Sequence, residues 1–236
     1  MTDLTKKYRP QRFGDVAGQP KADAWFRKQV TSKEARSVLL SGPYGTGKTT
    51  LGSIYAKALF CEAPEDGELC GTCDRCKEFG DIGRGFYEFN RFECGEHSTV
   101  EEVKGLLDIA RAAPWGNRRV LMLDEIQNLS RRAFDALLRI VESPPPWATF
   151  IFLTSKPEAL PAALRSRVTH LELGLLTSET ATRFLATICK AEGLAHDASV
   201  LPCCRLPLVD GLASCFAHSR RSRNLARSAR QMSGLL

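Results

Sequence analysis

Residues 42–49 form a glycine-rich loop that constrains the fold more than any other segment. They read Gly-Pro-Tyr-Gly-Thr-Gly-Lys-Thr and fit the pattern G-x-x-x-x-G-K-[ST]. The apolar run 37–41 before the loop predicts a buried strand, and residues 50–59 after it predict a helix. In such a strand–loop–helix the glycines let backbone N–H groups turn toward phosphates, and the helix N-terminus adds partial positive charge. The pattern predicts a nucleoside triphosphate site.

The end of this loop carries the groups that act on the phosphates. Lys48 is expected to reach the β- and γ-phosphates, and the Thr49 hydroxyl is expected to ligate Mg²⁺. The predicted ligands are therefore ATP and Mg²⁺. The predicted nucleotide-binding residues of the segment are Gly42, Gly45, Thr46, Gly47, Lys48, Thr49 and Thr50.

Apolar runs alternate with helical stretches between residues 37 and 173. Continuous apolar runs are typical of parallel strands that are covered on both faces of a sheet. Four runs beyond the first predict such fully buried strands: 86–89, 120–123, 150–153 and 168–173. The alternation predicts an α/β fold with a doubly wound parallel sheet, followed by a smaller helical unit.

Apolar residues at helical spacing predict the helices between these strands. Ser98 and Glu101 have the spacing of a capping box at the start of one helix. A second helix is expected to stop at the three prolines 144–146. The two apolar stripes are Val100, Val103, Leu107 and Ala110, and then Phe134, Leu137, Leu138 and Val141. A further helix is predicted over residues 178–192.

Two acidic residues follow the apolar run 119–123. Ligands of open α/β sheets bind at the carboxyl ends of the strands, where Asp124 can hold Mg²⁺ and Glu125 can orient a water. Acidic residues after a strand also occur as turn or cap formers, but the upstream phosphate loop favours catalysis. Because nucleotide binding alone does not need Glu125, we predict a hydrolase. Ser155 ends the next strand and is predicted either to sense the γ-phosphate or to form a turn.

Four of the nine cysteines lie close together in the sequence. Cys61, Cys70, Cys73 and Cys76 have the spacing C-x8-C-x2-C-x2-C. Four thiolates can close a tetrahedral Zn²⁺ site, so we predict a structural zinc. An iron–sulfur cluster or a redox pair stays open as an alternative, since spacing does not name the metal.

The composition excludes a membrane protein and sets the compartment. Residues 1–10 are too polar for a secretory signal, and no apolar run reaches the ~18 residues of a membrane span. The expected location is the cytoplasm, where free or metal-bound thiols predominate over disulfides. No membrane partner is expected.

Several segments resemble one family, the ATP-hydrolysing tau/gamma subunits of the bacterial DNA polymerase III clamp loader, which are AAA+ proteins. Three segments are similar to the motifs of that family. They are the opening 7–19 (Lys-Tyr-Arg-Pro-Gln-Arg-Phe-Gly-Asp-Val-Ala-Gly-Gln) and the segments 123–130 and 156–161. A four-cysteine module with this spacing, inserted just after the phosphate-loop helix, is the family's distinguishing mark. The resemblance covers about residues 5–198.

The resemblance implies an organisation and a function. It implies an AAA+ nucleotide-binding domain over residues 1–175, with the zinc module at 61–80, and a partial helical lid over 176–236. It implies an ATPase that uses ATP to place a sliding clamp on primed DNA during replication, without polymerase chemistry in this chain. The implied partners are other clamp-loader subunits, the sliding clamp and primed DNA.

The resemblance also assigns residues. The opening segment of the family borders the adenine pocket, which implicates Tyr8, Arg9, Pro10 and Val16. Residues 164–168, Leu-Arg-Ser-Arg-Val, are similar to the family's Ser-Arg-Cys motif, with valine in place of the cysteine. The match implies that Arg167 is a finger that acts in trans on the ATP of a neighbouring subunit.

The resemblance ends near residue 200. Residues 201–236 contain six arginines, no lysine and a single acidic residue, so most of the net charge of +6 lies there. The segment lacks the apolar helices and the arginine expected of the lid. We hypothesise that it is read out of frame, which makes the lid truncated or aberrant; the alternative is a divergent lid. No collar domain is expected, and the basic tail either binds nucleic-acid phosphate or is merely solvated.

Two other functions compete with the motor. One is a non-hydrolysing, truncated subunit that binds ATP and occupies a clamp-loader partner surface; the incomplete lid favours it, whereas Glu125 and Arg167 favour turnover. The other is a recombination or branch-migration motor of the AAA+ type. Stoichiometric zinc counts against this second alternative, because that group lacks the cysteine module.

Overall fold

Five parallel strands form a single sheet in the computed structural model, which describes residues 7–32, 35–80, 82–95 and 98–192. The spatial order is β2-β3-β4-β1-β5, and every neighbouring pair is parallel. The strands are β1 Val38–Ser41, β2 Phe89–Glu93, β3 Arg119–Asp124, β4 Ala148–Thr154 and β5 Thr169–Glu172. The predicted parallel α/β architecture is confirmed.

Helices precede, separate and follow the strands along the chain. They are α1 Pro20–Ser32, α2 Lys48–Phe60, α3 Asp74–Phe79, α4 Val100–Arg111, α5 Arg131–Glu142, α6 Ala162–Arg165 and α7 Ser178–Ala191. Short 3-10 turns lie at Phe13–Asp15, Ile126–Asn128 and Pro157–Ala159. None of the helices in the described parts of the chain combines the length and apolar character needed to cross a membrane.

One detail of the predicted helices is wrong. The capping box of α4 is formed by Thr99 and Glu102, so the prediction of Ser98 and Glu101 is wrong by one residue. Ser98 instead accepts a hydrogen bond from the N–H of Gly95 at 2.9 Å. Helix α5 ends at Glu142, before the prolines, as predicted.

The strand predicted at 86–89 is wrong except for its last residue. Phe86 lies among aromatic side chains, with its ring centroid 4.7 Å from that of Phe60 and 5.4 Å from that of Phe79. The N–H of Phe89 donates to the carbonyl of Phe86 at 3.1 Å, which closes a turn. These apolar residues therefore belong to a local aromatic cluster, and β2 begins only after it.

The prediction of full burial holds for the three central strands and fails at the edges. Every residue of β1, β3 and β4 is buried. Along β5 partly buried and exposed residues alternate, and β2 is buried only at Phe89. An edge strand lacks a neighbour on one side, and the apolar pattern does not reveal which strand takes that position.

Helix α2 packs tightly on the centre of the sheet and thereby fixes the end of the glycine-rich loop. A side chain at Gly52 would place its first carbon 2.9 Å from Met122 Sδ and 3.2 Å from Ile151 Cγ2. Gly52 therefore lets the helix approach β3 and β4 closely. This approach positions Lys48 and Thr49, the first two residues of α2, at the carboxyl end of the sheet.

The chain divides into two compact units. One comprises residues 20–42 and 48–173 and contains the sheet. The other comprises 1–19, 43–47 and 174–236, of which the structure describes 7–19, 43–47 and 174–192. The predicted domain boundary at residue 175 stays a prediction. The basic tail, the aberrant lid and the reading-frame hypothesis concern residues outside the described ranges.

The second unit contains helix α7 and the opening segment. Ala181, Leu185, Ile188 and Cys189 form the buried face of the helix. Lys7 Nζ and Tyr8 Oη both donate to Glu192 Oε1, at 2.7 and 2.5 Å. These two hydrogen bonds lower the pKa of the Glu192 carboxyl.

Candidate nucleotide site and cysteine cluster

The glycine-rich loop follows β1 and has positive φ at its three glycines, including Gly42 with φ 149°. Gly45 has φ 81° and Gly47 has φ 88°. A side chain at Gly47 would meet nothing within 4 Å, so the requirement for glycine there is conformational rather than steric. The Thr46 hydroxyl donates to the carbonyl of Pro43 at 2.9 Å and stabilises the turn.

Lys48 is buried and held by the loop itself. Its Nζ donates to the carbonyl of Gly42 at 2.7 Å. Only 6% of the residue is exposed. Burial lowers the pKa of this amine, while the nearby carboxylates of Glu125 and Asp124 act in the opposite direction. The amine is thus largely desolvated, which strengthens its interaction with an anion.

Asp124 ends β3 and faces the first turn of α2. The Thr49 hydroxyl donates to Asp124 Oδ2 at 3.2 Å. The guanidinium of Arg91 on β2 donates to the same oxygen at 2.9 Å. The two predicted Mg²⁺ ligands therefore lie together, with oxygen donors of the kind that a hard cation prefers. This arrangement fits the proposed ion.

Glu125 has a strained backbone, with φ 51° and ψ 48°. Non-glycine residues in this region cost about 1–3 kcal/mol and cluster at functional sites. Its Oε2 accepts hydrogen bonds from the Ser155 hydroxyl, at 2.8 Å, and from the Gln127 side-chain amide. The turn thus directs the carboxylate toward the end of β4.

Gln127 is a site residue that sequence reasoning missed. Besides the bond to Glu125, its Nε2 donates to Ser155 Oγ at 3.1 Å, and its Oε1 accepts from Thr154 Oγ1 at 2.6 Å. It therefore links the acid pair to the end of β4. The available signal was its position two residues after Glu125, in the 3-10 turn that follows β3. The predicted sensor role of Ser155 stays a prediction, now with a direct contact to Glu125.

The remaining predicted nucleotide residues have other contacts. Tyr8 donates to Glu192, and the carbonyl of Arg9 accepts from Gln11 Nε2 at 3.2 Å. Val16 donates its N–H to the carbonyl of Phe13 at 3.0 Å and ends the first 3-10 turn. These residues and Pro10 belong to the second unit, and their adenine role stays a prediction. Thr50 lies in the first turn of α2, half-buried.

Arg167 is exposed in the described structure. Its Nη2 forms an ion pair with Glu142 Oε1 at 2.7 Å, and its Nη1 donates to the carbonyl of Ala163 at 2.7 Å. An exposed ion pair of this kind contributes little to stability. The guanidinium can therefore leave Glu142 for a stronger anionic partner.

The four predicted metal-binding cysteines come together. The sulfur atoms of Cys61, Cys70, Cys73 and Cys76 all lie within 4.8 Å of one another. A tetrahedral zinc with Zn–S bonds of about 2.3 Å places its sulfur ligands about 3.8 Å apart, so the cluster fits this ion. Within the described residues these cysteines are free thiols rather than disulfides.

Backbone hydrogen bonds prepare one of these sulfurs for a metal. The N–H groups of Cys73 and Thr72 donate to Cys70 Sγ at 3.3 and 3.5 Å. Through these bonds the pKa of the Cys70 thiol falls to about 6. Thiolates are the metal-binding form, so the turn favours a metal over neutral thiols. The cluster does not distinguish zinc from an iron–sulfur centre.

The module that carries the cluster is anchored to α1. Arg27 forms ion pairs with Glu68 at 2.6 Å and with Asp23 at 2.7 Å. Gly67 has φ 76°, and a side chain there would overlap the carbonyl of Arg27. A module anchored in this way suits a structural role for the metal.

Two solved structures from Thermotoga maritima have a fold similar to that of this chain. The RuvB Holliday junction branch migration motor of Thermotoga maritima superposes with a TM-score of 0.61 at 19% identity, over 96% of this chain and 64% of that one. A DNA polymerase III gamma subunit-related protein from the same organism gives a TM-score of 0.54 at 12% identity, over 89% and 58%. At these identities the likeness shows the fold alone, and it confirms the AAA+ fold.

Curated relatives are much more similar in sequence. DNA polymerase III subunit gamma/tau of Mycobacterium tuberculosis (strain ATCC 25618 / H37Rv) is 35% identical over 201 residues, which cover 84% of this chain and 35% of the relative. DNA polymerase III subunit tau of Escherichia coli (strain K12) is 34% identical over 200 residues, covering 84% and 31%. The chain thus spans about a third of the length of these relatives. The resemblance to tau/gamma subunits is confirmed.

A family model gives the assignment itself. The model described as "DNA polymerase III, delta subunit" matches residues 18–188, which include the phosphate loop, the acid pair and the cysteine cluster. The match extends over more than half of the chain. The chain therefore belongs to the DNA polymerase III, delta subunit family.

Proposed function

We propose that this chain is the ATP-hydrolysing motor subunit of a clamp loader, which places a sliding clamp on primed DNA during replication. The proposal is supported by the family and by the tau/gamma relatives. The observation that carries it is the convergence of Lys48, Thr49, Asp124 and Glu125 at the carboxyl ends of β1 and β3. A site built only to hold nucleotide has no need of a strained carboxylate beside the metal ligand.

The residues of this site divide the work on ATP. Lys48 exchanges its bond to the Gly42 carbonyl for the β- and γ-phosphates, and its buried amine offsets their charge. Thr49 and Asp124 would hold Mg²⁺, which when bound neutralises charge on the phosphate oxygens. Glu125 orients the attacking water, and the hydrogen bonds from Gln127 and Ser155 set the direction of its carboxylate.

Replacing Glu125 with glutamine tests the hydrolytic half of the proposal. The amide keeps the size of the side chain but removes the charge that orients the water, so kcat should fall by about 100-fold or more. Binding of a fluorescent ATP analogue should change little. Glu101→Gln, an exposed acid on α4, should leave both quantities unchanged.

Two results separate the proposal from its alternative. Unchanged turnover in Glu125→Gln would remove Glu125 from the mechanism. ATP binding by the wild-type chain without any turnover would instead favour the non-hydrolysing subunit.

Arg167 is proposed to complete the site of a neighbouring subunit. Removing a finger of this kind lowers turnover by about 10³-fold or more, which we expect for Arg167→Ala in the assembled loader. Mixing that variant with Lys48→Ala should restore part of the activity, since each supplies what the other lacks. Glu142→Gln breaks the same ion pair but keeps the guanidinium, and should turn over like the wild type. Full activity of Arg167→Ala would contradict the trans role.

The remaining assignments extend the same proposal. Tyr8, Arg9, Pro10 and Val16 form the adenine pocket, and Ser155 senses the γ-phosphate. The cysteine cluster binds a structural zinc that stabilises its module. The partners are other clamp-loader subunits, the sliding clamp and primed DNA, and the location is the bacterial cytoplasm. The nucleotide domain is taken to end near residue 175, where the partial lid begins.

A further inference from the structure

The side chain of Arg91 lies beside the proposed magnesium ligands. Neither the sequence patterns nor the proposed mechanism assigns it a function there. It lies on β2, the edge strand beside β3, and donates to Asp124 Oδ2 at 2.9 Å. Thr49 donates to that same oxygen. One carboxylate oxygen of the proposed magnesium ligand is thus already bonded to the guanidinium and to the second ligand.

We infer that Arg91 is a positioning residue whose guanidinium competes with magnesium for the Asp124 carboxylate. The inference rests on the proposed nucleotide site. The Asp124 side chain is 9% exposed, and a carboxylate so far removed from water needs a compensating cation. That cation is the Arg91 guanidinium, 2.9 Å from Asp124 Oδ2.

The backbone fixes this contact. Glu93 is the β2 residue paired with Asp124, and the next N–H, that of Cys94, donates to the carbonyl of Asp124 at 2.9 Å. Arg91 lies two residues before Glu93 and therefore on the same face of the strand. A long side chain from this position reaches Asp124 along the strand without any movement of the main chain.

The surroundings let the guanidinium leave. The Arg91 side chain is 35% exposed. It lines a recess of about 480 Å³ beside β2, together with the Glu93 carboxylate and the loop at 82–85. After release from Asp124, the guanidinium can occupy this recess near the negative charge of Glu93. Release exchanges the bond to Asp124 for solvent and the Glu93 carboxylate, beside the second cation of the recess, Arg84.

The test is the magnesium dependence of nucleotide binding, measured with a fluorescent ATP analogue in Arg91→Gln and the wild-type chain. Without the competing guanidinium, the half-saturating Mg²⁺ concentration should fall by about tenfold. In EDTA the same variant should bind the analogue more weakly than the wild type, because the Asp124 charge is then uncompensated near the phosphates. A lower half-saturating Mg²⁺ concentration together with weaker binding in EDTA distinguishes competition from a general structural defect, which would weaken binding in both conditions.

Two further variants complete the experiment. Arg91→Lys keeps the positive charge. Its half-saturating Mg²⁺ concentration and its binding in EDTA should both be closer to the wild-type values than those of Arg91→Gln. Arg111→Gln breaks an exposed ion pair of equal length, with Asp108 at 2.9 Å, and should change neither quantity.

The outcomes separate the two claims. Equal magnesium dependence in Arg91→Gln and wild type, or weaker binding of the variant in both conditions, would overturn the role of Arg91 and leave the nucleotide site intact. A wild-type chain that binds no nucleotide in either condition would overturn the proposed function, and the role of Arg91 with it.

Discussion

Replacing Lys48 with alanine is expected to reduce ATP binding and hydrolysis by about 100-fold or more, since it removes a desolvated cation from the phosphate site. The amine is buried beside two carboxylates and bonded to the loop carbonyl of Gly42. Without it, the negative charges of Asp124 and Glu125 face the triphosphate with less compensation. Equilibrium binding of a fluorescent ATP analogue and steady-state phosphate release measure the two effects separately.

The matched control for this variant is Lys104→Ala, which removes an exposed lysine from α4. It should bind and hydrolyse ATP like the wild type. Circular dichroism melts of both variants show whether the fold survives. Wild-type affinity in a folded Lys48→Ala chain would contradict the assignment of the glycine-rich loop as the phosphate site.

Replacing Cys76 with serine is expected to abolish stoichiometric metal binding and lower the melting temperature by about 10 °C. Cys76 is the buried member of the four-cysteine cluster. Because metal binding at such a site contributes directly to folding, the loss of one ligand weakens the whole module. Metal analysis of the purified chain should find one zinc per wild-type molecule.

Cys94→Ser is the matched control for the metal experiment. Cys94 is also a buried thiol, at 1% exposure, but lies outside the cluster. Burial and the neighbouring carboxylates raise its pKa to about 12, so it is a neutral thiol. This variant should keep its zinc. Iron with visible absorbance, or a wild-type chain without metal, would contradict a zinc site.

The parts of the site that sequence predicted are those encoded by contiguous residues. The glycine-rich loop, the acid pair and the closely spaced cysteines each carry their chemistry within a short segment. The strand–loop–helix fixes the position of Lys48 at the carboxyl end of its strand, and Asp124 ends another parallel strand. The order of the elements therefore predicts that the two residues lie at the same edge of the sheet. The Glu125 turn was not predictable, because its left-handed backbone depends on tertiary contacts.

The residues that were missed act across the sheet. Arg91 lies 33 positions before Asp124, and only the pairing of β2 with β3 brings the two together. Gln127 reaches Ser155 across the gap between β3 and β4. No local pattern contains either contact, since each depends on which strands are neighbours.

The same dependence on neighbours that are distant in sequence explains the errors in the predicted strands. Phe86 reads as part of a buried strand, but its ring packs with Phe60 and Phe79 before β2 begins. Apolar character shows that a segment is buried without showing what buries it. The alternating exposure of β5 likewise follows from its place at the edge of the sheet.

We propose that this chain converts ATP hydrolysis into clamp loading. The most direct measurement is steady-state ATP hydrolysis by the wild-type chain with its partner subunits, with and without sliding clamp and primed DNA, and with Lys48→Ala as the control. We expect turnover that depends on Lys48 and rises when clamp and primed DNA are both present. ATP binding without turnover in any of these mixtures would contradict it.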